Sequence, residues 1–253
     1  MTDVLTTMLR DSDVENRRLA LSTFAAAVRN KSHLLLPHLS ILLPLVLDQA
    51  HKDPSLIREV SMGPFKHTVD DGLEVRKNAY ETLYSLMEIA SARLFADDTQ
   101  RAALFERAIA GVADDRAIQT LSNLMLPKLA AASPDDMIRR LDAVAEPFKV
   151  VLSFRPKDTA VRPEIEKAEE AKRGVVKVTL ELGRLFPGEV PGAGDAAAKG
   201  AVGAAAGASA AGRAAGTVGT RPVWSAYWEF MMATMGDMVK ATEKDMREGG
   251  RAI

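Results

Sequence analysis

Cysteine is absent from the 253-residue chain. Its absence excludes disulfides, thiol catalysis and thiolate metal sites, and permits a reducing compartment. Aromatic residues are scarce, at 5%, while apolar residues reach 47%. A core built from this chain must therefore rest on Leu, Val, Ile, Met and Ala, a mixture that suits helices. An excess of one charge sign is also lacking: the formal net charge is −1, which gives no electrostatic case for nucleic acid or a membrane surface as the main partner. Long hydrophobic runs are missing. The longest, Leu34 to Leu47, is too short to span a bilayer and carries Pro37, His38 and Pro44. The N-terminus, MTDVLTTMLRDSD, has no basic stretch followed by an apolar one and does not read as a secretory signal.

The catalytic inventory is thin as well. None of His33, His38, His51 and His67 belongs to an HExxH motif or pairs with carboxylates at a metal-ligand spacing. No GxSxG elbow occurs. Gly194 to Lys199 lacks the Gly-Lys-Ser/Thr ending of a phosphate loop. The acidic pairs Asp70-Asp71, Asp97-Asp98, Asp114-Asp115 and Asp135-Asp136 each stand where a helical pattern begins, so capping and helix-dipole compensation account for them. The expectation is a protein that is not an enzyme and uses no cofactor or metal.

What is present is helical periodicity. Over residues 14–30, Leu19, Ala20, Thr23, Phe24, Ala27 and Val28 fall at helical spacing behind Asp13, a plausible N-cap. A second apolar segment, Leu34 to Ala50, follows the break at Asn30-Lys31-Ser32. The pattern recurs over 72–94, with Val75, Ala79, Leu83, Leu86, Met87 and Ala90 in one stripe and a partner helix at about 98–112. It recurs again from Asp114-Asp115, with Ile118, Leu121, Leu124, Met125 and Leu129, then a helix from about Pro134 to Leu152. A further helix covers about Val161 to Phe186, with Pro163 in its first turn. Aligning 13-DVENRRLAL-21, 72-GLEVRKNAY-80 and 115-DRAIQTLSN-123 gives offsets of 59 and 43 residues between Ala20, Ala79 and Ser122. The second offset fits a HEAT-type period of roughly 40–47 residues, and the first exceeds it by a short insertion.

That insertion can be located. Residues 57–61 (IREVS) and 65–69 (FKHTV) alternate apolar and polar around Met62-Gly63-Pro64, a turn signal. The pattern reads as a β-hairpin, and equally as an irregular interhelical loop. The fold class expected is all-α, a HEAT-repeat solenoid over residues 1–186 with a small β-hairpin near 57–69. Residues 187–220 are dominated by Gly and Ala and read as a disordered linker. Residues 221–248 follow as one helix, with Trp224, Tyr227, Trp228, Met231, Met232, Met235 and Met238 on its apolar face. Such a helix suits an end cap for the repeats or a Met- and aromatic-rich partner-binding helix.

The block 62-MGPFKHTVDDGLEVRK-77, within 56-LIREVSMGPFKHTVDDGLEVRKNAYETLYSLME-88, resembles the C-terminal end of the cullin-associated, neddylation-dissociated proteins, once described as TATA-binding-protein-interacting proteins. Weaker likeness extends through DSDVENRRLALSTF and TLSNLMLPKLAAASPDDMIRRLDAVAEPFK, so that residues 1–186 are covered. The resemblance implies a helical-repeat scaffold that holds the N-terminal region of a cullin. It also implies a projecting hairpin that overlaps the substrate-adaptor site and promotes exchange of adaptor–receptor modules on cullin–RING ubiquitin ligases. The implied site comprises Ile57, Glu59, Met62, Gly63, Pro64, Phe65, Lys66, His67, Val69, Asp70 and Asp71. Met62 and Phe65 stand as anchors, and Lys66, His67, Asp70 and Asp71 set polar register. Ser61 replaces an expected acidic residue. The implied partner is a cullin, with neither nucleic acid nor membrane, and the implied location is cytoplasmic and nuclear. The family's long N-terminal arm is not in this sequence. A split subunit whose partner chain carries those repeats, a fragment of a longer product and a reduced paralogue all stay open. A generic HEAT scaffold acting in transcription or transport is the alternative function.

Overall fold

A computed structural model describes residues 2–63, 65–191 and 221–249. The expected linker thus lies, from residue 192 to 220, outside the described residues. The chain divides into two compact units, Met1–Ser133 and Pro134–Ile253.

The first unit is built from helices α1 (Thr2–Leu9), α2 (Val14–Leu35), α3 (Leu39–Gln49), α4 (Leu73–Leu94), α5 (Asp98–Ala110) and α6 (Arg116–Ala132). Helices α2, α4 and α6 pack successively in one layer, and α3 and α5 pack together in a second. This is the HEAT-type arrangement of stacked helix pairs. Its helix starts follow the acidic signals: Asp13 accepts from the Glu15 amide at 2.9 Å, Asp97 from Gln100 at 2.8 Å and Asp115 from Ala117 at 3.0 Å. The break expected at Asn30-Lys31-Ser32 is a kink, with Lys31 at φ −142°, ψ 44°.

The stripe of α4 is buried as expected at Val75, Ala79, Leu83, Leu86, Met87 and Ala90. Two other stripes are turned by about one position. In α2 the buried set is Ala20, Leu21, Phe24, Ala25 and Val28, and Leu19 is 44% exposed. In α6 Leu124 is 48% exposed, while Ser122 and Leu126 are buried. Rows one position apart differ by only about 100° around a helix, so neighbouring packing decides which is buried.

The second unit contains α7 (Pro134–Ser153), α8 (Arg162–Leu185), α9 (Pro222–Thr234) and α10 (Gly236–Gly249). The segment expected as one helix over 221–248 is therefore two, broken at Met235–Gly236. Met235 leaves helical geometry (φ −118°, ψ 21°), and the adjoining glycine weakens helix continuity. Helix α9 packs on α7 and α10 on α8. Trp224, Tyr227 and Met231 are buried, whereas Met232, expected on the same face, is 46% exposed. The docking is specific. The Trp224 amide donates to Asp142 at 2.9 Å, Thr179 and Tyr227 share a hydroxyl hydrogen bond of 2.8 Å, and Tyr227 lies 5.8 Å from the Phe148 ring centre. Burial raises the Tyr227 hydroxyl pKa, against the weaker lowering influence of Thr179.

Close approach to α8 requires a glycine. A Cβ on Gly183 would stand 2.5 Å from the Trp228 ring. Gly183→Ala is expected to destabilise the protein by about 1–3 kcal/mol, as overpacking does. A thermal melt monitored by tryptophan fluorescence reads this directly, since both tryptophans, Trp224 and Trp228, sit on α9.

Candidate functional site

The surplus between the first two helix pairs is a two-stranded antiparallel hairpin, β1 (Ile57–Met62) and β2 (Phe65–Asp70). Strand alternation and the turn dictate its register. Ile57 pairs with Asp70, Arg58 with Val69, Glu59 with Thr68, Val60 with His67, Ser61 with Lys66 and Met62 with Phe65. Gly63 adopts φ 64°, the left-handed region that suits glycine at a tight hairpin turn. Pro64 lies outside the described residues.

The register sorts the strand positions into two faces. Positions 57, 59, 61, 66, 68 and 70 form one, largely polar. Positions 58, 60, 62, 65, 67 and 69 form the other, where apolar types predominate. No strand residue with a described side chain is buried. Among the described side chains the hairpin thus has no core of its own, and its ladder, its turn and its base supply order. Along the ladder Lys66 lies 3.3 Å from Glu59, an exposed pair of little energetic consequence.

Gly63→Val forces a β-branched residue into positive φ. It should cost the turn about 1–2 kcal/mol. Amide exchange over 57–70 should then accelerate about tenfold while α2 and α4 keep their protection, as local opening requires.

The base is where the acidic pair Asp70-Asp71 acts. Both are expected to set polar register to a partner and to mark a helix start; in the structure each is also bonded at the hairpin's own root. Asp71 accepts from Arg58 on β1 at 2.6 and 3.2 Å, and its amide donates to the Leu56 carbonyl at 3.0 Å. The Arg58 guanidinium holds the Asp71 carboxyl below the usual carboxylate range. The pair's contribution is therefore present at neutral pH and is lost as pH falls through that depressed value. Both side chains are well exposed, so it is small and screened by salt.

Asp70 turns inward. It accepts from the Gly72 amide at 3.1 Å and from Arg76 at 2.9 and 3.2 Å. Arg76, in the first turn of α4, is 2% exposed. Its other bonds go to Asp114, just ahead of α6, at 2.9 and 3.0 Å in a fork geometry. Burial alone would lower the guanidinium pKa, but the bonds to Asp114 and Asp70 outweigh it and raise the pKa above its ordinary value. Beside this triad the Tyr80 hydroxyl donates to the Arg107 carbonyl at 2.6 Å, and burial, then the Asp114 charge, raise its pKa.

Sequence reasoning missed Arg76, Arg58 and Asp114. A signal existed: Arg76 adjoins the apolar stripe position Val75, between two acidic pairs that each precede a helix. Among the described residues no group of three or more histidine, aspartate or glutamate side chains could hold a metal. None of the described helices is long and apolar enough to cross a membrane.

The family model described as TATA-binding protein interacting (TIP20) matches residues 34–231, a range that includes the hairpin, the triad and α9 as far as Met231. A relative from Emericella nidulans, named "Cullin-associated NEDD8-dissociated protein 1, C-terminal part", is 40% identical over 242 residues, covering 96% of this chain and 20% of the relative. Cullin-associated NEDD8-dissociated protein 2 of Mus musculus is 38% identical over 174 residues, 69% of this chain and 14% of the relative. Cullin-associated NEDD8-dissociated protein 1 of Drosophila melanogaster is 38% identical over 181 residues, 70% of this chain and 14% of the relative. The chain thus spans a fifth or less of these relatives' length. Its helix pairs, its inserted hairpin and these matches together make it a member of the family of cullin-associated NEDD8-dissociated proteins, described as TATA-binding protein interacting (TIP20).

Proposed function

We propose that this chain is a cullin-binding scaffold whose hairpin competes with a substrate adaptor for the N-terminal region of a cullin, promoting exchange of adaptor–receptor modules on cullin–RING ligases. The observation that carries this reading is a hairpin without buried strand residues among those described, inserted between helix pairs in the region matched by the family. The relatives' names, each cullin-associated, supply the class of partner. Met62 and Phe65, paired at the tip beside Gly63, are the apolar anchor candidates, because a few large side chains dominate most interfaces. Lys66 and His67, exposed on β2, set polar register. Two ligands that exclude each other from one surface weaken each other reciprocally, so no covalent step and no catalytic group is needed.

A binding isotherm with a purified cullin N-terminal domain tests the reading. Saturable binding that weakens as adaptor is added supports it; no binding at tens of micromolar sinks it. The family description names the TATA-binding protein, which favours one other reading, a scaffold acting in transcription. Binding to that protein with no binding to cullin would select it.

A further inference from the structure

We propose that Arg76 is the positioning residue of the hairpin: one buried guanidinium holds Asp70 at the end of β2 and Asp114 ahead of α6, so the direction in which the hairpin projects is set by the connection between α5 and α6. Three features of the geometry carry this. First, none of the described strand side chains is fully buried, so full burial of a described side chain does not fix the strands' direction. Second, the ties at the root are unequal. The Arg58–Asp71 pair is exposed on both sides and joins the hairpin only to its own exit, whereas Arg76 is buried and joins the largely covered Asp70 to Asp114 in the α5–α6 connection. Third, Arg76 uses all three guanidinium nitrogens. Nε and Nη2 reach Asp114, and Nη1 and Nη2 reach Asp70. A rigid planar fork bonded along two edges fixes orientation as well as distance, which an ammonium point charge does not.

The consequence rests on the competition reading above. A hairpin held in one direction meets its site without an ordering cost, and one free to swing loses that preorganisation. The triad would thereby link the packing of α4 against α6 to competition at the hairpin.

The absence of cysteine makes the test clean, because Ser61→Cys on β1 and Glu106→Cys on α5, both exposed, take spin labels without background. In the full chain, electron–electron dipolar spectroscopy should give a narrow distance distribution between the labels. Asp114→Ala leaves a neutral Arg76–Asp70 pair, so no lone buried charge is created. This variant should keep its helical circular dichroism and its amide protection within the β ladder, yet broaden the distribution. An unchanged narrow distribution in a folded Asp114→Ala protein overturns the proposal. If that variant does not fold, Arg76→Met with Asp70→Asn and Asp114→Asn removes every charge of the triad and gives the same reading, since such replacements are often tolerated. Loss of helix in both variants would assign the triad to global stability alone and overturn its positioning role. With a cullin N-terminal domain, Asp114→Ala should dissociate about tenfold faster, the expected reading for lost preorganisation. Broadening without this rate change would retain the positioning and overturn its functional consequence. Failure of the unsubstituted protein to bind cullin at all would strike the functional reading and leave the distance result standing.

Discussion

A chain whose residues 58–68 are replaced by a Gly/Ser loop should keep its helical circular dichroism and melting temperature yet no longer displace a substrate adaptor from a cullin N-terminal domain. The helices survive because their core is built from helix side chains. No described strand side chain is buried, and the replaced stretch lies outside every helix. The triad survives too, because Asp70, Arg76 and Asp114 are outside the replaced stretch. Displacement fails because the loop has neither a ladder nor anchors. Truncating an interface anchor typically costs about 2 kcal/mol or more, about 30-fold in affinity. Met62→Ala and Phe65→Ala should each approach that value, and the loop should exceed either. Competition titrations with labelled adaptor provide the measurement. Undiminished displacement by the loop variant would remove the hairpin from the mechanism.

Arg76→Ala should be the most destabilising single substitution in the first unit, by about 3–5 kcal/mol, the usual consequence of removing one partner from a buried ion pair. Asp70 and Asp114 are only 20% and 12% exposed at their side chains, so both carboxylates would lose their countercharge with little water to replace it. The volume vacated by the buried Arg76 side chain adds a cavity penalty. Urea denaturation followed by circular dichroism reads the loss. Asp114→Ala, which keeps a neutral Arg76–Asp70 pair, should cost distinctly less. Equal costs for the two would mean that the triad does not act as a charge-balanced unit.

Much of this architecture was legible in the sequence because it rests on local rules. Helix starts at Asp13, Asp97 and Asp115 obey side-chain capping, and the stripe from Val75 to Ala90 obeys helical periodicity. The hairpin was legible because alternation on both sides of Met62-Gly63-Pro64 leaves few other conformations, although the composition alone did not separate it from a loop. What was not legible depended on packing. Leu19 and Leu124 read as core and are exposed, because the choice between neighbouring rows is made by the facing helix. Residues 221–248 read as one helix and are two, because apolar residues on both sides of Gly236 mask the break. The triad was hidden most deeply: Arg76 and Asp114 are 38 residues apart, and nothing local brings them together. Asp70 and Asp71 read from the sequence as helix-start signals, and nothing local foretold their bonds to Arg76 and Arg58.

The rate at which a labelled adaptor leaves a cullin N-terminal domain, followed by stopped-flow fluorescence against rising concentrations of this chain, bears most directly on the proposed exchange. A dissociation rate that climbs with concentration and then saturates, and that stays flat for the Gly/Ser-loop variant, is the expected result. A stable complex of cullin, adaptor and this chain, with the adaptor leaving at its unassisted rate, would contradict competition through the hairpin.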